Sequence, residues 1–235
     1  MKIIAISDIH GRDVWKEIVE KEEDTDKIVF LGDYVDSWDI NPHKQIQNLK
    51  EILKFKEENE DKVTLLLGNH DYHYLPKCVA WGIYYSGFKR MLVPEVSPLL
   101  NDALQKKLIQ MCYVHENIVF VHAGLSKTWC RNYNVDLDNL ELSINNLIFE
   151  RIGAFDFQFS KDSYEDPYGD DVFQSPLWIR PKSLLKDRLD DYTQVIGHTQ
   201  VKEIDLSMPI KLIDILETKD QYLIYENDKF KIGEL

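Results

Sequence analysis

Basic residues are in deficit. Lysine and arginine number 28 against 41 aspartates and glutamates, a formal net charge of −13. A surface of that sign repels nucleic-acid backbones on average, which argues against long nucleic acids as partners. Long apolar runs are missing: no stretch reaches the roughly 18 residues of a membrane span, so no membrane partner is expected. Cysteine is scarce as well. Cys78, Cys112 and Cys130 are odd in number and lack metal-type spacing, so they read as reduced thiols of a cytoplasmic protein. The opening Met1–Ser7 is too short for a signal peptide, and Asp8 interrupts it. The sequence shows no internal repeat, low-complexity tract or linker. What remains is 235 residues, 44% hydrophobic and 29% charged, the balance of a soluble globular protein, and one domain over residues 1–235 is expected.

The apolar pattern gives an ordered series of elements. Lys2–Ser7, Lys27–Leu31 and Val63–Leu67 read as buried strands. Between them, Arg12–Lys21 and His43–Asn59 carry apolar residues at helical spacing, the second with Pro42 near its start. This β-α-β-α-β order predicts a largely parallel sheet with helices on its faces. Farther on, Leu100–Met111 and Leu137–Ile152 read as helices and Asn117–Val121 as a fourth strand. The acidic, turn-rich stretch Ser160–Asp171 reads as a solvated loop. Beyond Gly197, Ile210–Ile215, Gln221–Tyr225 and Phe230–Ile232 read as antiparallel hairpins. The expected architecture is mixed α/β, with two packed sheets and helices outside.

Five short motifs punctuate this series, each after an apolar run. They are Asp8-Ile-His10, Gly32-Asp-Tyr-Val-Asp36, Gly68-Asn-His-Asp71, Val121-His-Ala-Gly124 and Gly197-His-Thr199. Side chains two apart on an extended segment point the same way, so Asp8 and His10 can grip one ion. Asp33 would stand at the C-terminal end of a strand, where sites form in open α/β sheets, and its two oxygens can bridge two metals. Asn69 offers a neutral carbonyl oxygen, and His122 and His198 are natural imidazole ligands. His70, beside Asn69, points elsewhere and is available as a proton donor, with Asp36 placed to orient a histidine. Oxygen and nitrogen donors of this kind accept Mn, Fe, Zn, Ni or Mg, with Mn2+ the leading expectation for two divalent ions.

This ordered set resembles the calcineurin-like metallophosphoesterase superfamily over residues 8–199, and Gly32–Asp36 with the single histidine of Gly197–Gln200 looks like its phosphoprotein phosphatase branch. The resemblance implies a four-layer fold of two mixed sheets flanked by helices. It also implies a first metal on Asp8, His10 and Asp33. A second would sit on Asp33, Asn69, His122 and His198, with Asp33 bridging. His70 would be the general acid, held by Asp36. Two metals about 3.5–4 Å apart can activate water and clamp phosphate oxygens for in-line attack, with no covalent phosphoenzyme. A phosphorylated substrate follows: phosphoprotein, nucleotide or small molecule.

One departure stands out. The branch usually continues past the second aspartate with Arg-Gly, the arginine clamping the substrate phosphate, and here Ser37-Trp38 follow. Leu67 replaces the arginine that often precedes Gly-Asn-His. Phosphate binding then falls to the metals, Asn69 and an arginine from elsewhere, with Arg180 the first candidate and Arg12 and Arg90 behind it. A second resemblance is local. Gly68–Leu75 and His122–Trp129 look like bacterial symmetrical diadenosine tetraphosphate hydrolases, which makes a dinucleoside tetraphosphate the alternative substrate. Trp38, Tyr72, Tyr74, Trp81 and Trp129 are the rings available to stack on a base or tyrosyl group. A non-catalytic scaffold is the competing class, although the ligands and the acid are all present.

Overall fold

A computed structural model describes residues 1–85, 87–158 and 169–235. Most of the acidic stretch Ser160–Asp171 therefore lies outside the described residues. The chain begins β1 (Lys2–Ile6), α1 (Trp15–Lys21), β2 (Lys27–Phe30), α2 (Pro42–Glu58), β3 (Val63–Leu66), α3 (Asn69–Tyr72), α4 (Pro76–Trp81) and α5 (Val93–Gln105). It continues through β4 (Ile109–Gln110), β5 (Cys112–His115), β6 (Ile118–Val121), α6 (Lys127–Asn132), α7 (Leu140–Glu150) and α8 (Pro181–Asp187). It closes with β7 (Thr193–Ile196), β8 (Ile210–Leu212), β9 (Gln221–Glu226) and β10 (Lys229–Glu234). Two compact units result, Met1–Gln110 with Ile215–Leu235, and Met111–Asp214.

The first unit holds a six-stranded mixed sheet in the order β10-β9-β1-β2-β3-β4. Strands β1, β2, β3 and β4 run parallel, and β9 and β10 are antiparallel to their neighbours. Parallel strands covered on both faces need apolar residues at every position. Accordingly β3 is buried throughout, and β1 and β2 are buried from their second residue onward. Helix α2 starts where Pro42 fixes the backbone and Asn41 accepts from the His43 N–H at 2.8 Å. It buries Ile46, Leu49, Ile52 and Leu53. Helix α5 begins at Val93, seven residues before the expected Leu100. Pro94 sits in its first turn, where the missing N–H has no intrahelical partner to lose. Pro98 lies one turn inside, and the buried face of Val96, Leu100, Ala103 and Leu104 compensates for the bond it removes.

The second unit holds a four-stranded sheet in the order β5-β6-β7-β8. Strand β5 pairs antiparallel with β6, while β6-β7 and β7-β8 are parallel. Helix α7 packs on β5, and its Asn145 accepts from the N–H groups of Met111 and Cys112. The short strands β4 and β5 lie where the sequence pattern had ended a helix at Met111 and shown no strand. The expected C-terminal hairpins need one correction. β9 and β10 do form a hairpin, through Asn227-Asp228 at positive φ. β8, however, is not the partner of β9. It pairs with β7, and a turn at Ile215–Thr218 carries the chain to the other sheet. Neighbourhood in sequence was the wrong guide there, because a strand pairs with whatever edge buries both its faces.

The fold class is therefore mixed α/β with two mixed sheets and flanking helices. All three cysteines are buried thiols. Among the described residues no helix is long and apolar enough to cross a membrane. Ile4, fully buried in β1, gives a direct test of the core: Ile4→Ala is expected to cost about 2–5 kcal/mol in urea denaturation. Ile232→Ala, at a 42% exposed position of β10, is expected to cost well under half of that.

Candidate metal centre

Strand β1 stops at Ile6, and the residues that follow leave the extended region. Asp8 and His10 have φ of 51° and 43°. The convergence of their side chains therefore comes from a left-handed turn and not from strand alternation, which corrects the geometry read from the sequence. Asp33 (56°), Asp36 (67°) and His198 (64°) are left-handed too. Ten non-glycine residues adopt positive φ among the described residues, and five of them belong to the motif set. Such backbone costs about 1–3 kcal/mol per residue and persists where the surroundings over-determine it, which singles these strand ends out as a site.

In the first unit, Asp8, His10 and Asp33 each offer a ligand atom, all within 4.8 Å of one another. His10 Nδ1 lies 2.6 Å from the Val35 carbonyl, which can only accept. Nδ1 therefore carries the proton and Nε2 presents its lone pair, 3.9 Å from Asp33 Oδ2. Burial, with help from the His70 imidazole, pushes His10 down to about 4, leaving the ring in the neutral form that binds cations. Two buried carboxylates and a neutral imidazole with its lone pair facing one of them fit a hard or borderline divalent cation. Asn69, at the start of α3, is buried as well.

Asp71 holds this arrangement together. Its Oδ2 accepts from the backbone N–H of Asp33 (2.8 Å) and of Gly68 (2.9 Å), and its Oδ1 from that of Tyr34 (2.9 Å). Burial pushes this carboxyl up to about 7, against the three donors that favour its charge. The loops after β2 and β3 are thereby tied at adjacent strand ends. They approach so closely that a Cβ on Gly68 would fall 2.1 Å from Asp33 Oδ1.

Asp33 also leads to His70, the candidate proton donor. Its Oδ1 accepts from the His70 backbone N–H at 2.8 Å. His70 Nδ1 lies 3.1 Å from Asp36 Oδ2, which leaves Nε2 as the atom able to deliver a proton. Asp36 has two further partners that the sequence reading did not assign. His73 Nε2 reaches Oδ2 at 2.6 Å, and the Tyr74 hydroxyl donates to Oδ1 at 2.5 Å. Burial alone would raise Asp36, but these bonds outweigh it and hold the carboxyl below its ordinary range. Asp36, His70 and His73 are close enough together to be considered as cation ligands. The 2.6 Å separation argues otherwise, because ligand atoms on a tetrahedral ion with bonds of 2.0–2.1 Å stand about 3.3 Å apart. The cluster is a hydrogen-bonded network. Gly87 closes it, since a Cβ there would lie 2.6 Å from His70 Cε1. The signal for His73 and Tyr74 was their spacing: they stand three and four residues after His70 on a helical turn, hence on its face.

In the second unit, parallel β6 and β7 carry His122 and His198 just past their C-terminal ends, with the Gly197 N–H donating to the His122 carbonyl at 2.8 Å. The two imidazoles are brought together, centroids 5.2 Å apart and planes 63° apart. Arg180 Nη1 donates to the His198 carbonyl and to Thr199 Oγ1, each at 3.1 Å, so the guanidinium is anchored on the loop that bears His198. Arg12, one of the alternatives, is engaged in the first unit with Asp39 and Glu217.

Two buried carboxylates and a neutral imidazole that fit a divalent cation, beside a histidine held by a carboxylate, are side-chain types that a metal-dependent hydrolase uses. Residues 1–206 match the calcineurin-like phosphoesterase family, and the chain belongs to it. That family uses divalent metals. A relative is the symmetrical bis(5'-nucleosyl)-tetraphosphatase of Nitrosospira multiformis, 31% identical over 139 residues. The match covers 55% of this chain and 46% of that enzyme, so it spans about half of the relative's length. In fold, the chain is similar to a protein serine/threonine phosphatase of Saccharomyces cerevisiae, with a TM-score of 0.59 and 10% identity over 99% of this chain and 79% of that one.

The close approach at Gly68 makes a prediction. Gly68→Ala must push Asp33 aside, and Mn2+ binding measured by calorimetry is expected to weaken at least tenfold. Binding as tight as in the unaltered protein would show that Asp33 does not hold the ion from this position. Tyr74→Phe leaves Asp36 Oδ1 without its hydroxyl donor and the Lys89 N–H without its acceptor, and is expected to destabilise by about 1–3 kcal/mol in urea.

Proposed function

We propose that this chain is a phosphoester hydrolase with two divalent cations, acting on phosphomonoesters, Ser/Thr phosphoprotein-type esters among them. One observation carries the reading: a single carboxylate, Asp33, faces the ligand atom of His10 with one oxygen and binds the backbone of the proton-donor residue His70 with the other. Cation site and acid are thus held in fixed register.

Asp8, His10 and Asp33 would hold one cation, and Mn2+ leads among Mn, Fe, Zn, Ni and Mg. Asn69, His122 and His198 keep, within this proposal, the second-cation roles that the family resemblance assigns them. Divalent ions supply Lewis acidity and lower the pKa of water. Water attacks phosphorus in line, the bond to the leaving oxygen breaks, and His70 Nε2 delivers the proton that oxygen needs. Asp36, fixed by His70, His73 and Tyr74, keeps Nδ1 engaged so that Nε2 faces the reaction. Arg180 and Asn69 are the proposed contacts for the phosphate. The second reading, hydrolysis of a dinucleoside tetraphosphate, is favoured by the 31% identical relative and uses the same residues.

The test is turnover. With Mn2+ the purified protein is expected to hydrolyse p-nitrophenyl phosphate, and Asp33→Asn is expected to abolish it. His70→Asn is expected to lower kcat by about 10²–10⁴-fold. Chelation should remove activity and Mn2+ restore it. Robust turnover by Asp33→Asn would overturn the site, and metal binding without turnover in the unaltered protein would favour the scaffold.

A further inference from the structure

The five rings that the sequence offered for stacking separate clearly. Tyr72, Tyr74 and Trp129 are fully buried, whereas Trp38 is 75% and Trp81 67% exposed. An exposed indole of that extent is unusual, and the position of Trp38 makes it more so. It stands two residues after Asp36, the carboxylate that holds His70. Two residues span at most about 7 Å of backbone, so the Trp38 backbone lies within about that distance of Asp36 in the network that holds His70.

The loop presenting Trp38 is pinned. Ser37 Oγ donates to Asp39 Oδ1 at 2.6 Å and accepts from the Ile40 N–H at 3.1 Å. The buried Gln45 side chain accepts from the Ser37 N–H at 3.2 Å and donates to the Ile40 carbonyl at 2.5 Å. Lys89 Nζ donates to the Ser37 carbonyl and lies 5.9 Å from the centroid of the Trp38 ring, within cation–π range. Its backbone N–H holds the Tyr74 hydroxyl that grips Asp36, so the lysine and the acid network share one frame. A cation beside the indole draws electron density from it, which favours stacking with an electron-rich ring. Trp81 has a lysine over its ring as well, Lys77 at 4.4 Å, but lies at the end of α4 with no bond to this network among the described residues.

We propose that Trp38, backed by Lys89, is the leaving-group subsite, and that it selects phosphate esters whose leaving group carries an aromatic ring, a nucleoside or a tyrosyl group, over aliphatic esters. The proposal rests on the hydrolase reading above and narrows its substrate. An aromatic face needs only a flat ring, and stacking of a base on an aromatic side chain is worth about tenfold or more in affinity.

The test uses the full chain with Mn2+ and four esters: adenosine 5'-monophosphate, tyrosine phosphate, serine phosphate and glycerol 3-phosphate. The ratio of kcat/KM for an aromatic ester to that for glycerol 3-phosphate is expected to fall about tenfold in Trp38→Ala. Trp38→Phe should keep most of it, Lys89→Met should lower it, and Trp81→Ala should leave it unchanged. The adenosine and tyrosine arms tell which ring the platform takes. An equal loss on all four esters, no aromatic preference in the unaltered protein, or a fall caused by Trp81→Ala would each overturn the subsite. Quenching of tryptophan fluorescence by adenosine, lost in Trp38→Ala, reads the platform without turnover. If no ester is hydrolysed but that quenching is present, the hydrolase reading fails and the platform stands. If esters are hydrolysed without preference and quenching is absent, the platform fails and the hydrolase reading stands.

Discussion

The Asp71 carboxylate accepts N–H groups from Asp33, Tyr34 and Gly68, and through them ties the turn that follows β2 to the one between β3 and α3. Parallel pairing of β2 with β3 brings the two strand ends side by side. It does not decide how the chain leaves them. A buried carboxylate with three donors does, because releasing any one would leave an N–H unmet in a site closed to water. Asp33 can therefore stay in a left-handed conformation with both oxygens aimed, one toward His10 and one at the His70 backbone. Every role proposed for Asp33 depends on a residue that is itself fully buried.

The same logic recurs at Asp36. A carboxylate with a single imidazole partner can rotate. With Tyr74 on one oxygen and two imidazoles on the other, it has no alternative rotamer that keeps its bonds. The cost of burying it is met locally, and the orientation of His70 follows. Aromatic packing of Tyr74 on Phe88, with ring centroids 5.0 Å apart, extends this rigidity to the segment that carries Lys89.

Much of this was legible in the sequence, and the parts that were not share a physical cause. The buried strands showed as apolar runs because both faces are covered, and the motif residues showed because they sit where those runs stop. Strands β4 and β5 were invisible: β4 is two residues long, too short for a period to emerge, and β5 is fully buried only at Cys112, so it makes no continuous apolar run. The pairing of β8 with β7 was hidden because pairing is decided by the partner edge, which a linear pattern does not contain. At the site, the ligand candidates were read by type, but the Asp8–His10 geometry was misread because the strand was taken to continue through them, although Asp and His are among the non-glycine residues that most often adopt the left-handed region. His73 and Tyr74 were overlooked as partners of Asp36, although the helical spacing that places them beside His70 was on the page.

The left-handed residues at the strand ends have a consequence for how this protein can change. Glycine adopts positive φ at no steric cost, so Asp8, His10, Asp33, Asp36 and His198, half of the ten such non-glycine positions among the described residues, are places where a substitution would relieve the backbone. Each carries a side chain to which the proposed function gives a role. On the proposed roles, drift toward thermal robustness is closed at those five positions, because a lineage that took it would trade its chemistry for a better-behaved but idle protein.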